Sequence, residues 1–209
     1  MEKEEDYFEI CEKLKKIIKK TGEPLEGNCL YKHDSFEKWE CLKNKRINYQ
    51  NITKNKNRIC EIGFNAGHSF LCMILVNPNA EYTLFDLGKH KYSKPTFNFL
   101  KKIFPKTKIS MIWGDSTKTI PNFYKKNPKK TFDVIHIDGG HQSKIYIEDW
   151  YNSLKLISTD GVLIFDDTDN NKISTFLDNE IKKGKVAETN EFLKTSGYEH
   201  RIFIKKNKT

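Results

Sequence analysis

Five times between residues 58 and 184, a short apolar run is followed by a stretch with helical spacing. That alternation limits the chain more than any other feature. "RICEI" (58–62), "EYTLFDL" (81–87), "KISMIWGD" (108–115), "FDVIHIDGG" (132–140) and "GVLIFDD" (161–167) read as strands. A helix is expected from the glycine turn at 63–67 to Val76, and others over 94–104, 144–157 and 172–184. Strands this apolar are buried on both faces, which requires a mostly parallel sheet covered by helices on each side. Right-handed crossovers then leave few topologies.

The expected fold is therefore a doubly wound, Rossmann-like α/β domain with helices on both faces. The closing stretch, "KVAETNEFLKTSGYEHRIFIKK", reads as two strands around Ser196-Gly197, a C-terminal antiparallel hairpin. Before the alternation, residues 5–20 place Tyr7, Phe8, Ile10, Leu14, Ile17 and Ile18 at helical spacing. A second short helix is expected in "DSFEKWECLKN", capped by Asp34 or Ser35. The chain thus divides into a helical extension over 1–57 and an α/β domain over 58–209.

Net charge is +9, but the lysines are scattered through "KKIIKK", "KNKNR", "KKNPKK", "KKGK" and "KKNK". They read as solvated ends of elements, with an anionic partner as the alternative. The five cysteines form no CxxC pair and no zinc spacing, which points to a reducing compartment. The acidic start "MEKEEDYFEI" has no apolar leader run, and no segment approaches a membrane span. A cytoplasmic protein with no membrane partner is expected.

In open α/β sheets, ligands bind at the carboxyl ends of strands, near the point where strand order reverses. This sequence puts acids there after every strand: Glu61, Asp86, Asp115, Asp138, then Asp166 and Asp167. Glycines accompany them at 63, 67, 114, 139 and 140. Gly63 and Gly67 are expected at a strand end rather than in the core, where the backbone can approach a ligand closely. Asp86 follows that turn at about the 20-residue spacing from which a carboxylate holds ribose hydroxyls. Asp138, Asp166 and Asp167 end apolar runs, where an unpaired carboxylate is costly and two neighbours repel. A hard divalent cation would relieve all three.

Together "EIGFNAGHS", "FDLG", "GDS", "FDVIHIDGGHQ" and "GVLIFDD" resemble the class I S-adenosylmethionine-dependent methyltransferases. The pattern is most similar to the branch with D-G-x-H after strand four and D-D after strand five, which includes metal-dependent catechol-type and macrolide-sugar O-methyltransferases. The resemblance implies that Gly63, Phe64, Asn65 and Gly67 pass beside the methionine part of the cofactor. Glu61 would organise that turn, and Ser69 would cap or contact the carboxylate end. His68 would contact the cofactor or serve as a structural group. Asp86 would accept both ribose hydroxyls, while Asp115 and Ser116 would meet the adenine edge, with Asp138 closing the cofactor site. Asp115 could equally cap the next helix.

Asp138, Asp166 and Asp167 would hold Mg²⁺ or Mn²⁺, and His141 or Asp138 would take the acceptor's proton. His136 falls mid-strand and is expected in the core, while His200 has no expected role. The extension over 1–57 would cap the acceptor side, with Tyr31, Lys32, His33, Trp39, Asn170 and Asn171 facing a small molecule or glycan. A nucleic-acid acceptor is the alternative, motivated by the charge but without clustered lysines and aromatics. A homo-oligomer is compatible with all of this.

Overall fold

The computed structural model describes residues 3–196 and 199–206. Its helices are α1 (Glu4–Lys20), α2 (Lys43–Thr53), α3 (His68–Val76), α4 (Ser93–Ile103), α5 (Ser116–Lys126), α6 (Ser143–Leu156) and α7 (Asn171–Lys182). The strands are β1 (Arg58–Ile62), β2 (Glu81–Asp86), β3 (Ile109–Trp113), β4 (Phe132–Ile137), β5 (Ile157–Phe165), β6 (Val186–Glu188) and β7 (Arg201–Lys205). They form one sheet in the order β3-β2-β1-β4-β5-β7-β6. The first five run parallel, and β7 and β6 add the expected antiparallel pairings. Strand order therefore reverses between β1 and β4, so the crevice of this doubly wound sheet opens above their carboxyl ends.

Alternation along each strand divides the core into two layers. Ile59, Leu84, Val134, Ile164 and Ile202 face α1 to α4, and Cys60, Ile62, Phe85, Ile135, Leu163 and Phe203 face α5 to α7. Helix α1 buries Tyr7, Leu14 and Ile18 of the apolar positions that mark it, together with Cys11, in the same cluster as β1 and α3. The five cysteines are free thiols, four of them buried. Among the described residues no helix is long and apolar enough to cross a membrane.

One expectation needs correction, and the expected C-terminal hairpin is present with a longer connection. The stretch 34–44 is no α-helix: it holds two single-turn 3-10 segments, His33–Ser35 and Glu40–Leu42, with Phe36 in the left-handed region between them (φ 57°). The second helix is α2, one step later, and its buried face is largely polar, with Lys45, Arg46, Asn48, Gln50 and Thr53 beside Tyr49 and Ile52. A helix buried through polar groups has no hydrophobic period to read. The terminal strands are also set wider apart than a tight hairpin at Ser196 would place them. Gly197 of that turn lies outside the described residues. The intervening segment is clasped by α2: Asn48 exchanges hydrogen bonds with the Leu193 backbone at 2.8 and 3.0 Å, and Asn44 donates to the Lys194 carbonyl at 2.8 Å.

On the opposite layer Trp150 is fully buried among Phe165, Phe176 and Phe203, and its indole N–H donates to Glu180 at 3.1 Å. Trp150→Ala should remove about 3–5 kcal/mol of stability, the range for truncating a buried large aromatic. Urea unfolding checks this; a loss below about 1 kcal/mol would show that the layer collapses onto the gap.

Candidate active site at the carboxyl edge of the sheet

The β1–α3 turn is fixed first by packing. Gly63 has φ +96°, and a Cβ there would lie 1.8 Å from the Asp138 carbonyl oxygen. Gly67 (φ +84°) would meet the Phe64 ring at 2.6 Å and Leu100 at 2.7 Å. Both glycines are therefore demanded by the fold itself, contrary to the expectation that they lie clear of the core. Phe64 turns its ring into the core against Phe70 and Phe97, leaving its backbone at the turn. Asn65 (φ 51°) donates its backbone N–H to Asp86 at 2.7 Å, and its side chain ties the turn to the Glu26 and Gly27 carbonyls at 2.8 and 2.7 Å. Asp86 also accepts from Gly88 N–H at 2.6 Å, so its carboxylate is held by two backbone donors.

Under this turn, Ser69 donates to Glu61 at 2.5 Å, and Glu61 also faces Nδ1 of His136 at 3.1 Å. His68 is buried edge-on to Tyr31, and burial lowers its imidazole to about 4, so it is neutral. Asp115 caps α5, accepting from the Thr117 N–H at 3.0 Å and the Thr117 hydroxyl at 2.7 Å, and the hydroxyl bond foremost lowers its pKa. Ser116 begins α5. Tyr31 is buried, and Asn170 caps α7 through the Lys172 N–H, so neither stands free at the rim.

The acids after β4 and β5 part company. Asp166 points inward beneath α2, where Lys45 Nζ lies 2.5 Å from Oδ1 and the Tyr49 hydroxyl donates to Oδ2 at 2.8 Å. The Nε2 of His136 faces Oδ2 at 3.4 Å. Burial alone would raise Asp166; the Lys45 charge and the His136 bond overcome it and hold the carboxyl well below its usual range. The same balance acts on His136, where bonds to Asp166 and Glu61 outweigh burial and lift the ring to about 10. His136, Asp138 and Asp166 bring ligand atoms within 4.8 Å of one another. Asp138 is pushed well up by burial and by the Asp166 and Asp167 charges. Asp167, in the left-handed region (φ 55°), turns instead to the rim, 2.6 Å from Nε2 of His141. That bond foremost raises the half-exposed His141 imidazole.

Sequence reasoning missed four participants. Lys45 and Tyr49 stand one helical turn apart on α2, and only that spacing could have signalled them. His200 is buried against Tyr49 and bonded to Asn48 at 2.8 Å; burial lowers its imidazole to about 4. Asp149 on α6 is fully buried, and the Ser116 side chain is a polar neighbour that offsets only part of the burial of its carboxylate. It lies beneath the Gly139 turn, where an added Cβ would sit 2.8 Å from Oδ2.

Burial raises the Asp149 carboxyl to about 6, outweighing the Ser116 side chain, which lowers it. A folded-state value above the ordinary carboxylate value of about 3.9 means that the fold binds this proton more tightly than the unfolded chain. Stability is therefore lost as pH rises from about 4 to about 6. Asp149→Asn should be more stable than the parent at neutral pH, by up to about 3 kcal/mol, with the gap closing below about pH 4. Denaturant unfolding at both pH values checks this; an asparagine variant less stable at pH 7 would mean that the Ser116 contact outweighs the cost of burying the carboxylate.

Residues 60–168 match the protein family described as a methyltransferase domain. No curated protein matches the chain by sequence. Among solved structures, the chain is similar to an O-methyltransferase from Bacillus cereus in complex with SAH, with TM-score 0.71 and 15% identity over 95% of this chain and 91% of that one. It is also similar to the O-methyltransferase TomG from Streptomyces achromogenes, involved in tomaymycin synthesis and bound to S-adenosylmethionine (TM-score 0.66, 14% identity, 95% and 90% covered). A third likeness is to the N-methyltransferase NodS from Bradyrhizobium japonicum, in complex with S-adenosylhomocysteine (TM-score 0.57, 13% identity, 80% and 89% covered). With more than half of its length matched, the chain belongs to the methyltransferase-domain family, and its sheet has the class I methyltransferase fold of these structures.

Proposed function

We propose that the chain transfers the methyl group of S-adenosylmethionine to a hydroxyl oxygen of a small molecule or sugar. The observation that carries this reading is the His141–Asp167 pair at 2.6 Å, at the rim beside Asp138. An imidazole oriented by a carboxylate, and open to solvent on one side, is suited to accept a hydroxyl proton. The amine of an N-methylation acceptor needs no such base once it is neutral. Two of the similar structures are O-methyltransferases, which agrees with the reading.

The cofactor would lie across the β1–β4 crevice. Asp86 is already held by Asn65 and Gly88, and a carboxylate offers about four lone-pair sites, so it retains capacity for both ribose hydroxyls. The turn from Gly63 through Phe64, Asn65 and Gly67 to His68 and Ser69 would pass the methionine part, with Glu61 holding Ser69 in place. Asp115 and Ser116 would approach the adenine edge, and Asp138 would close the site. The extension over 1–57 would cap the acceptor side, a role supported by the clasp of the Glu26 and Gly27 carbonyls on Asn65.

Asp138, Asp166 and Asp167 would hold Mg²⁺ or Mn²⁺. Their oxygens are the hard donors that such ions prefer, and Asp138 stays under-neutralised even with Lys45 and His136 nearby. When bound, the ion would lower the pKa of the acceptor hydroxyl and orient it. The chain's own groups have separate work. His141 takes the proton at Nδ1, Asp167 fixes the ring by accepting from Nε2, and the crevice would bring methyl donor and oxygen to roughly 3–3.5 Å.

Methyl transfer from labelled S-adenosylmethionine, screened over nucleotide sugars, glycans, phenols and oligonucleotides, tests the acceptor class. His141→Ala should lower turnover by about 10²–10⁴-fold with cofactor affinity intact, and excess chelator should abolish it. Asp86→Ala should weaken cofactor binding by about 1.5–3 kcal/mol in calorimetry. Full turnover by the His141 variant, or transfer to amines alone, would overturn the hydroxyl reading.

A further inference from the structure

Lys45 is the feature that neither the strand-end motifs nor the proposed reaction uses. Its Nζ lies 2.5 Å from Asp166, with 5% and 3% of the two side chains exposed. Its charge also acts on Asp138 and Asp167, so one ammonium in contact with Asp166 bears on all three carboxylates assigned above to a divalent ion. It is no swinging surface lysine. Tyr49, one turn along α2, bonds the other oxygen of the same Asp166, and Asn48 anchors the helix to the Leu193 backbone and to His200. The acid cluster thus has a resident cation supplied by the chain.

We propose that Lys45 is a built-in competitor for the divalent ion: its ammonium holds Asp166 and repels a second cation, so that it sets a weak ion affinity at this site. A positive charge a few ångströms from a divalent ion in a poorly solvated pocket opposes it strongly. A carboxylate that already accepts from an ammonium and a phenol also has fewer lone pairs left for a metal. The inference rests on the reading of Asp138, Asp166 and Asp167 as ion ligands.

Mn²⁺ binding to the full chain, followed by the electron paramagnetic resonance of free Mn²⁺, tests it on the parent, Lys45→Met and Lys45→Arg, with Asp138→Asn as control. Lys45→Met should bind Mn²⁺ at least about tenfold more tightly than the parent, given the size of the repulsion removed. Lys45→Arg, which keeps the charge, should stay near the parent, and Asp138→Asn should lose binding. Mn²⁺ should also raise the melting temperature of Lys45→Met more than that of the parent. Equal or weaker binding by a folded Lys45→Met overturns the competition and leaves the ion reading standing. No binding to either protein overturns the ion reading, and this inference with it. Where Lys45→Met is too unstable to assay, Lys45→Gln, whose amide still donates to Asp166, carries the same expectation and the same contrary result.

Discussion

Burying the Asp166 carboxylate under α2 creates a debt that the surrounding residues are arranged to meet. Removing an ion from water costs several kcal/mol even after relaxation, and an ion pair offsets this only when the remaining lone pairs are filled. Here Lys45 and Tyr49 take the two oxygens, and His136 stands against the second. The imidazole then needs its own partner on the far side, which is Glu61, and Glu61 accepts in turn from Ser69 at the start of α3. One chain of polar contacts therefore joins α2, β5, β4, β1 and α3 under the edge of the sheet. Remove a link and a buried charge is left exposed to an apolar surrounding. That is why the helix of the extension is tied to the strand ends and not merely laid over them.

The same edge is shaped from above by the backbone. Gly63 follows β1 where β4 delivers Asp138, and the two chains meet too closely for any side chain at position 63. Close contact there fixes the crevice between β1 and β4, where the strand order reverses. Asn65, in a left-handed conformation, can then reach Asp86 with its backbone while its side chain holds the Glu26 and Gly27 carbonyls. The turn is a junction of three segments, settled by sterics and hydrogen bonds that exist without a passenger.

Much of this is legible in the sequence, and the illegible part has a physical cause. Apolar strands such as "FDVIHI" and "GVLIF" announce a two-sided sheet, and helices with one apolar stripe, such as α1 and α4, follow their spacing. Helix α2 does not. It is buried through Lys45, Arg46, Asn48 and Gln50, whose partners lie far along the chain, so no local pattern marks it. The acids at the strand ends were visible, as was their need for a counter-charge. Which of the 37 basic residues supplies it was not, because an ion pair between positions 45 and 166 is a property of the fold. His136 shows the same limit: alternation places it in the core, but only the neighbouring strands reveal that the core there is two carboxylates.

Asp166 and Asp167 carry the argument one step further. As neighbours in a strand they would face opposite sides of the sheet, and they do part in that sense. Asp166 keeps the inward direction and meets Lys45. Asp167 leaves the pleat through a left-handed backbone conformation and meets His141 at the rim. Two identical side chains thus acquire different environments from one turn of backbone. The buried one is held by an ammonium, a phenol and a ring; the other is partly solvated and paired with a titratable base. Neighbouring groups whose surroundings differ in this way are how a site obtains both a fixed charge and a mobile proton from a single residue type. Exchanging the two directions would bury the base's partner and strand Lys45 without a carboxylate, so the left-handed residue at 167 decides both the integrity of the polar chain below and the chemistry open to the rim above.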